Sequence, residues 1–228
     1  MIKVNPLYTY KKLDRQDGGK NGRVYVDEAG NKIPSVTTIL SATKDMRHLH
    51  AWKKRIGETK AQQITTESAG LGTSMHSHLE DYILGNTKPV GSNYGKLMAA
   101  KMADAVIQNG LVDVDEVWGV EAHLHFENLW AGTTDLVGLF KGQPAIMDFK
   151  TTIKPKKEEW VQDYRLQLTA YAMSHNLLYG TNINTVVVFM VSRDCEFQKF
   201  VWSGDSYKES ELQWAQRVSD YYDKHIFN

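Results

Sequence analysis

The tightest constraint on this chain is a hairpin pattern near its centre. Gly132-Thr133-Thr134-Asp135-Leu136-Val137-Gly138 and Ile146-Met147-Asp148-Phe149-Lys150-Thr151 are two apolar strand patterns that carry charges in their interiors. Lys141-Gly142-Gln143-Pro144 is a turn sequence between them. Side chains alternate along a strand, so Asp148 and Lys150 share a face that Phe149 does not. Asp135 can face them from the neighbouring strand. Two carboxylates and an ammonium then meet at the edge of an apolar sheet. A lone Asp-x-Lys is ordinarily a surface ion pair. With a second Asp across the hairpin and apolar flanks, a site is the better reading. Close carboxylates repel, and a divalent cation relieves that repulsion. The lysine can then orient an attacking water, or steady the charge that builds on a phosphate under attack.

Around this hairpin the periodicity predicts an α/β chain, a central mixed sheet flanked by helices. A small hairpin is expected over 23–33 around Gly30, with Ser35 as N-cap of a short helix over 36–42. Helical patterns follow over 45–56, 58–68, 71–84 and 93–109. Strands over 114–127, 132–141 and 145–152 come next, then a helix over 157–178 and strands over 185–191 and 196–202. A final amphipathic helix is expected over 206–224. Its Leu212, Trp214, Val218, Tyr221 and Tyr222 cover the sheet in one reading and make a dimer contact in the other. No Pro/Gly/Ser-rich linker divides the 228 residues. One domain over 1–228 is expected, mainly helical over 1–110, with the sheet and its helices over 111–228.

Composition narrows the chemistry. The single cysteine, Cys195, excludes an intramolecular disulfide framework, a Cys-rich zinc site and a cysteine-ligated iron–sulfur cluster. No apolar run approaches the roughly 20 residues of a membrane span, so no membrane partner is expected. The first residues lack the apolar core of a signal peptide, which predicts a cytoplasmic location. Net charge is zero, against nucleic-acid binding by bulk charge alone. The charge is nonetheless split. Residues 1–60 hold 13 Lys/Arg against 6 Asp/Glu, and residues 61–228 hold 14 against 21. A basic entrance leading to a carboxylate-lined site would give that division, and so would scatter on a solvated surface. There is no phosphate-cradling glycine loop and no Gly-x-Ser-x-Gly elbow.

Three further patterns carry candidate chemistry. His76 and Glu80 are four apart on a predicted helix and share a face, a reasonable half-site for a metal. Gln167 and Tyr171, also four apart, can both donate hydrogen bonds to a phosphate or to water. Lys44, Arg47, His48, His50, Trp52, Lys53, Lys54 and Arg55 crowd one helix, and Lys154, Lys156 and Lys157 follow the second charged strand. Of these, Lys53, Arg55 and Lys154 are candidates to hold DNA phosphates while Trp52 stacks on a base. Trp52 as a core residue is the competing reading.

Taken in order, these residues resemble the PD-(D/E)xK nuclease superfamily in its RecB-like exonuclease branch. Within that branch the chain looks like the mitochondrial genome maintenance exonucleases and their phage relatives. Pro34-Ser35-Val36-Thr37-Thr38-Ile39-Leu40 is similar to that family's Ser-Val-Thr motif. Trp52-Lys53-Lys54-Arg55-Ile56-Gly57 is similar to the segment after it, and Gly72-Thr73-Ser74-Met75-His76 to its histidine motif. Asp135, Asp148-x-Lys150 and Gln167-x-x-x-Tyr171 match in order and spacing. The resemblance covers about 23–203.

The resemblance implies a restriction-endonuclease-like core with the N-terminal helical region arching over the site. It implies that His76, Asp135 and Asp148 hold Mg²⁺ or Mn²⁺, one ion or two, with the Phe149 backbone carbonyl as a further ligand. Glu80 would act through a second metal or a water. Lys150 would be the catalytic lysine. Gln167 and Tyr171 would support the site and contact DNA, and Ser35 and Thr37 would lie near the DNA path. The implied activity is metal-dependent exonucleolytic cleavage of single-stranded DNA from a free end, by a monomer. A flap or junction endonuclease and an inert DNA-end-binding protein are the alternatives. The four cysteines that ligate an iron–sulfur cluster in CRISPR-associated RecB-like exonucleases are missing, so no such cluster is expected. A phage or bacterial version is expected, the former acting in the host cytoplasm.

Overall fold

The computed structural model describes residues 2–17, 22–86 and 88–226, apart from the side chains of residues 48, 225 and 226. His48 thus lies outside the described side chains. The chain begins with β1 (Lys3–Val4), β2 (Asp14–Gln16), β3 (Val24–Val26) and β4 (Lys32–Pro34). Four helices follow: α1 (Val36–Thr43), α2 (Arg47–Ile56), α3 (Glu58–Ile83) and α4 (Tyr94–Asn109). The second half runs β5 (Val114–Phe126), β6 (Trp130–Phe140), β7 (Gln143–Thr152), α5 (Gln162–Tyr179), β8 (Thr185–Ser192), β9 (Phe197–Ser203) and α6 (Asp205–Ile226).

The large sheet has the order β1-β5-β6-β7-β8-β9. β5, β6 and β7 form an antiparallel meander, β8 lies parallel to β7, and β9 returns antiparallel to β8. Helix α5 is the crossover that a parallel β7–β8 pair requires. Every residue of β8 is buried, as expected for a strand covered on both faces. On one face Val36, Ile39 and Leu40 of α1, Leu166 and Leu168 of α5 and Trp214 of α6 pack with Ile146 and Val186. On the other, Met75 and Leu79 of α3 and Met102 and Val106 of α4 pack with Met147, Phe149 and Val187. The central mixed sheet flanked by helices is the architecture the periodicity predicted.

The differences have physical causes. Helix α3 is continuous where two helices were expected over 58–68 and 71–84. Gly70 and Gly72 lower helix propensity by about 1 kcal/mol each but do not remove a backbone donor, and packing of α3 on α4 carries the helix through them. Residues 1–110 are not simply helical. β2, β3 and β4 form a three-stranded antiparallel sheet, and the paired β1 extends the large sheet. Tyr25 and Ile33 of the small sheet are buried with Leu13 against Ala131, which pins that sheet to the start of β6. The expected helix over 157–178 opens as a single 3₁₀ turn, Glu158–Trp160, before α5 begins. On α6, Trp214, Val218 and Tyr221 recur at i, i+4 and i+7 and are buried, whereas Leu212 stands on the far side and is 75% exposed. Leu212 therefore does not cover the sheet. No helix among the described residues is long and apolar enough to cross a membrane.

Candidate active site

The site forms where the β6–β7 ladder ends. Regular pairing runs from Phe140↔Gln143 at the turn to Leu136↔Met147. One residue further, the Asp135 side chain replaces a ladder acceptor: its Oδ2 takes the Phe149 N–H at 2.7 Å. Asp148 and Lys150 lie beside it on β7 and form a close ion pair with each other. Both are largely enclosed, so this is not the surface ion pair that an Asp-x-Lys ordinarily makes. Helix α3 brings His76 across the end of the sheet, its Nδ1 3.4 Å from Asp135 Oδ1 and its ring edge-on to Phe149.

A cavity of about 660 Å³ opens over these groups. Its walls are α3 at Gly72, His76 and Glu80, the small sheet at Arg15, Arg23 and Tyr25, and α1 at Ser35 and Thr37. β5 contributes Glu121, β6 Asp135, β7 Phe149 and Lys150, and α5 Tyr164, Gln167 and Tyr171. Ser35 is the α1 N-cap that the sequence predicts, accepting the Thr38 N–H at 3.0 Å. Gln167 donates to the Tyr171 hydroxyl at 3.1 Å. Tyr171 is only 3% exposed and its ring presses on Gly132, where an added Cβ would come within 2.4 Å of Cε1. Glycine there is required by that close approach. The Tyr171 ring is thus a wall of the cavity, and its hydroxyl holds the Gln167 amide.

Sequence reasoning missed Glu121. Ligand atoms of His76, Glu121 and Asp135 all lie within 4.8 Å of one another, whereas Asp148, expected among the ligands, is turned to Lys150. Glu121 sits between the pairs Val120↔Leu136 and Ala122↔Thr134, opposite Asp135, with φ +48°. Counting the register back from the β5–β6 turn would have found it. Glu80 lines the cavity outside this group of three. Other expected residues are not brought together. Trp52, Lys53 and Arg55 lie on α2, which leads directly into α3 at Gly57, and none of them lines the cavity. Trp52 is half-buried and belongs to none of the core clusters. Lys154 is exposed on the segment after β7, also outside the cavity.

The charges of the site are strongly interdependent. Burial opposes ionisation of Asp135, but the charge and hydrogen bond of His76, with Lys150 and the Phe149 N–H, hold it below the usual carboxylate range. Burial and then repulsion from Asp135 push Asp148 up to about 6. Glu121 stands exposed on the cavity side of β5, yet partial desolvation by the surrounding walls, again with repulsion from Asp135, pushes it up to about 7. His76 and Lys150 are disfavoured by burial as cations, yet Asp135 and Asp148 raise both above their ordinary values. Two raised carboxyls beside a converging imidazole mark a shortage of positive charge. Imidazole and carboxylate oxygens suit a divalent ion of the Mg²⁺ or Mn²⁺ kind, Mn²⁺ tolerating the nitrogen better.

Two of this chain's relatives are curated proteins named mitochondrial genome maintenance exonuclease 1. That of Xenopus tropicalis is 29% identical over 184 residues, covering 73% of this chain and 50% of that protein. That of Homo sapiens is 27% identical over 208 residues, covering 85% of this chain and 59% of that protein. The resemblance read from the motifs is borne out by these relatives. The chain spans only about half the length of the curated relatives it matches. A phage-related exonuclease from Haemophilus somnus is similar in structure with a TM-score of 0.44 and 12% identity, over 85% of this chain and 95% of that one. No protein-family model matches the chain.

Proposed function

We propose that this chain is a metal-dependent nuclease that removes nucleotides from a free end of single-stranded DNA. The observation that carries the reading is the convergence of His76, Glu121 and Asp135 in one cavity that Lys150 also lines, with Asp148 paired to Lys150 behind it. The exonuclease names of its relatives support the same chemistry.

His76, Glu121 and Asp135 would hold a divalent cation, with Asp148 adjacent. Bound there, such an ion supplies Lewis-acid polarisation of the scissile phosphate. The remaining work falls to the protein's own groups. Lys150 is fixed between the Asp148 carboxylate and the Tyr164 ring, 5.2 Å from its centroid, and acts as a positioned cation for the charge that grows on the phosphate. Gln167, held by Tyr171, presents an amide toward the same space. Arg15 and Arg23 at the rim can contact flanking phosphates. A cavity of about 660 Å³ is of small-molecule size. That supports entry of one strand and exclusion of a duplex.

The test is a time course on end-labelled linear and closed circular single-stranded DNA with Mg²⁺, Mn²⁺ or EDTA. Loss of the linear strand alone, blocked by EDTA, is expected. Cut circles would replace the reading with an endonuclease. Binding without cleavage would replace it with an inert end-binding protein.

A further inference from the structure

Beside the catalytic cavity lies a second one of about 200 Å³, lined in part by Thr37, Leu40 and Gln167 of the sequence motifs and in part by residues that no motif marks, Trp160 among them. The two share Thr37, Tyr164 and Gln167 as walls, so they are adjacent. Tyr164 is also the ring against which Lys150 rests. The smaller cavity is therefore one side chain away from the catalytic ammonium. At its outer wall stands Trp160, 59% exposed although it is one of the largest apolar side chains in the protein.

The turn that carries Trp160 is firmly anchored. Trp202 donates its indole N–H to Glu158 at 2.8 Å, Trp160 N–H bonds the Lys157 carbonyl at 3.0 Å, and Val161 is buried directly after it. Trp160 is thus displayed by a rigid support and contributes little to the core. The ammonium of Lys157 lies 5.6 Å from the centroid of its ring. The acidic member of the cavity, Asp163, is neutralised by Lys44 at 2.7 Å and Arg217 at 3.5 Å. The surroundings favour an anionic ligand with a flat apolar part, which describes a nucleotide.

We propose that this cavity is a base-stacking subsite for the substrate strand, with a base on Trp160 and its phosphate near Lys44 or Lys157. This assigns the stacking role expected of Trp52 to a residue that does border the site. The inference rests on the proposed nucleic-acid substrate, but its test does not need catalysis.

Affinity for a short fluorescent single-stranded DNA is measured in EDTA for wild type, Trp160→Ala and Trp160→Phe. A second series carries one abasic position moved stepwise along the strand. Trp160→Ala should weaken binding at least about fivefold and Trp160→Phe less than about threefold, since stacking tolerates any aromatic face. Wild type should lose affinity at one particular abasic position, and Trp160→Ala should lose that sensitivity. A merely structural role would weaken binding without erasing the positional effect. Unchanged affinity, or an unchanged abasic profile in Trp160→Ala, would overturn the subsite. Trp160-dependent binding by a wild type that cleaves nothing with Mn²⁺ would overturn the nuclease reading alone. No binding by wild type would overturn both.

Discussion

His76 and His175 both project from helices against the sheet, yet their surroundings push the two imidazoles in opposite directions. His175 on α5 is fully buried among Tyr8, Tyr10 and Tyr179. Thr181 gives its only hydroxyl hydrogen to Asn176 Oδ1 at 2.8 Å, so it must accept from His175 Nδ1, also 2.8 Å away. Nε2 is then the bare nitrogen and accepts from the Tyr10 hydroxyl at 3.1 Å. Both ring nitrogens are satisfied by a neutral imidazole, and burial pushes its pKa down to about 4. His76 faces carboxylates and an open cavity, and is raised instead. The difference separates structure from function. A buried histidine closed in by hydroxyls and amides has completed its chemistry. One left among uncompensated charges at a cavity has not.

The sharpest way to break the comparison is at Asp135. Asp135→Asn keeps an acceptor for the Phe149 N–H but removes the charge that binds His76. Cleavage should fall about 10²–10³-fold, read as single-turnover rate, while circular dichroism stays unchanged. Next is Glu121→Gln. Its divalent-metal affinity, titrated calorimetrically, should fall about 10–100-fold. Its metal-free melting temperature should not fall, because repulsion from Asp135 is relieved. A drop in melting temperature with unchanged metal affinity would return Glu121 to a purely structural role.

The smallest effect concerns His175 and pH. Its folded pKa lies below the unfolded value of about 6.5. The unfolded chain therefore binds the extra proton first, and stability is lost as pH falls from 6.5 toward 4. By pH 5 the loss is about 2 kcal/mol. Glu121 and Asp148 work the other way: raised carboxyls stabilise at low pH, and that contribution is lost as pH rises through about 6 to 7. The His175 effect must be read as the stability difference between wild type and His175→Gln, which should shrink by that amount between pH 7 and pH 5. A difference independent of pH would show that His175 is not held neutral.

Much of the site was legible because it is local. Alternation puts Asp148 and Lys150 on one face, and helical spacing pairs Gln167 with Tyr171. Both need only the residue count. Glu121 was not legible in its own neighbourhood: Val120-Glu121-Ala122 is an ordinary strand fragment until β5 is registered against β6. Trp160 was hidden for a related reason, since its exposure depends on a 3₁₀ turn and on the Trp202–Glu158 bond across the chain. β2, Asp14-Arg15-Gln16, has no apolar alternation, and it forms because β3 offers an edge. Trp52 illustrates a different limit. A basic, aromatic helix suggested contact with DNA, but residue type alone does not say that this helix leaves Trp52 outside the cavity lining.

The most direct test of the central claim, that the groups at the cavity carry the chemistry and the enclosed His175 does not, is cleavage of end-labelled single-stranded DNA with Mn²⁺ by Lys150→Ala and His175→Gln, compared with wild type at equal folded fraction. The account predicts that Lys150→Ala loses cleavage by at least about a hundredfold while His175→Gln keeps wild-type specific activity. Retained cleavage by Lys150→Ala, or an equal loss in both variants, would contradict it.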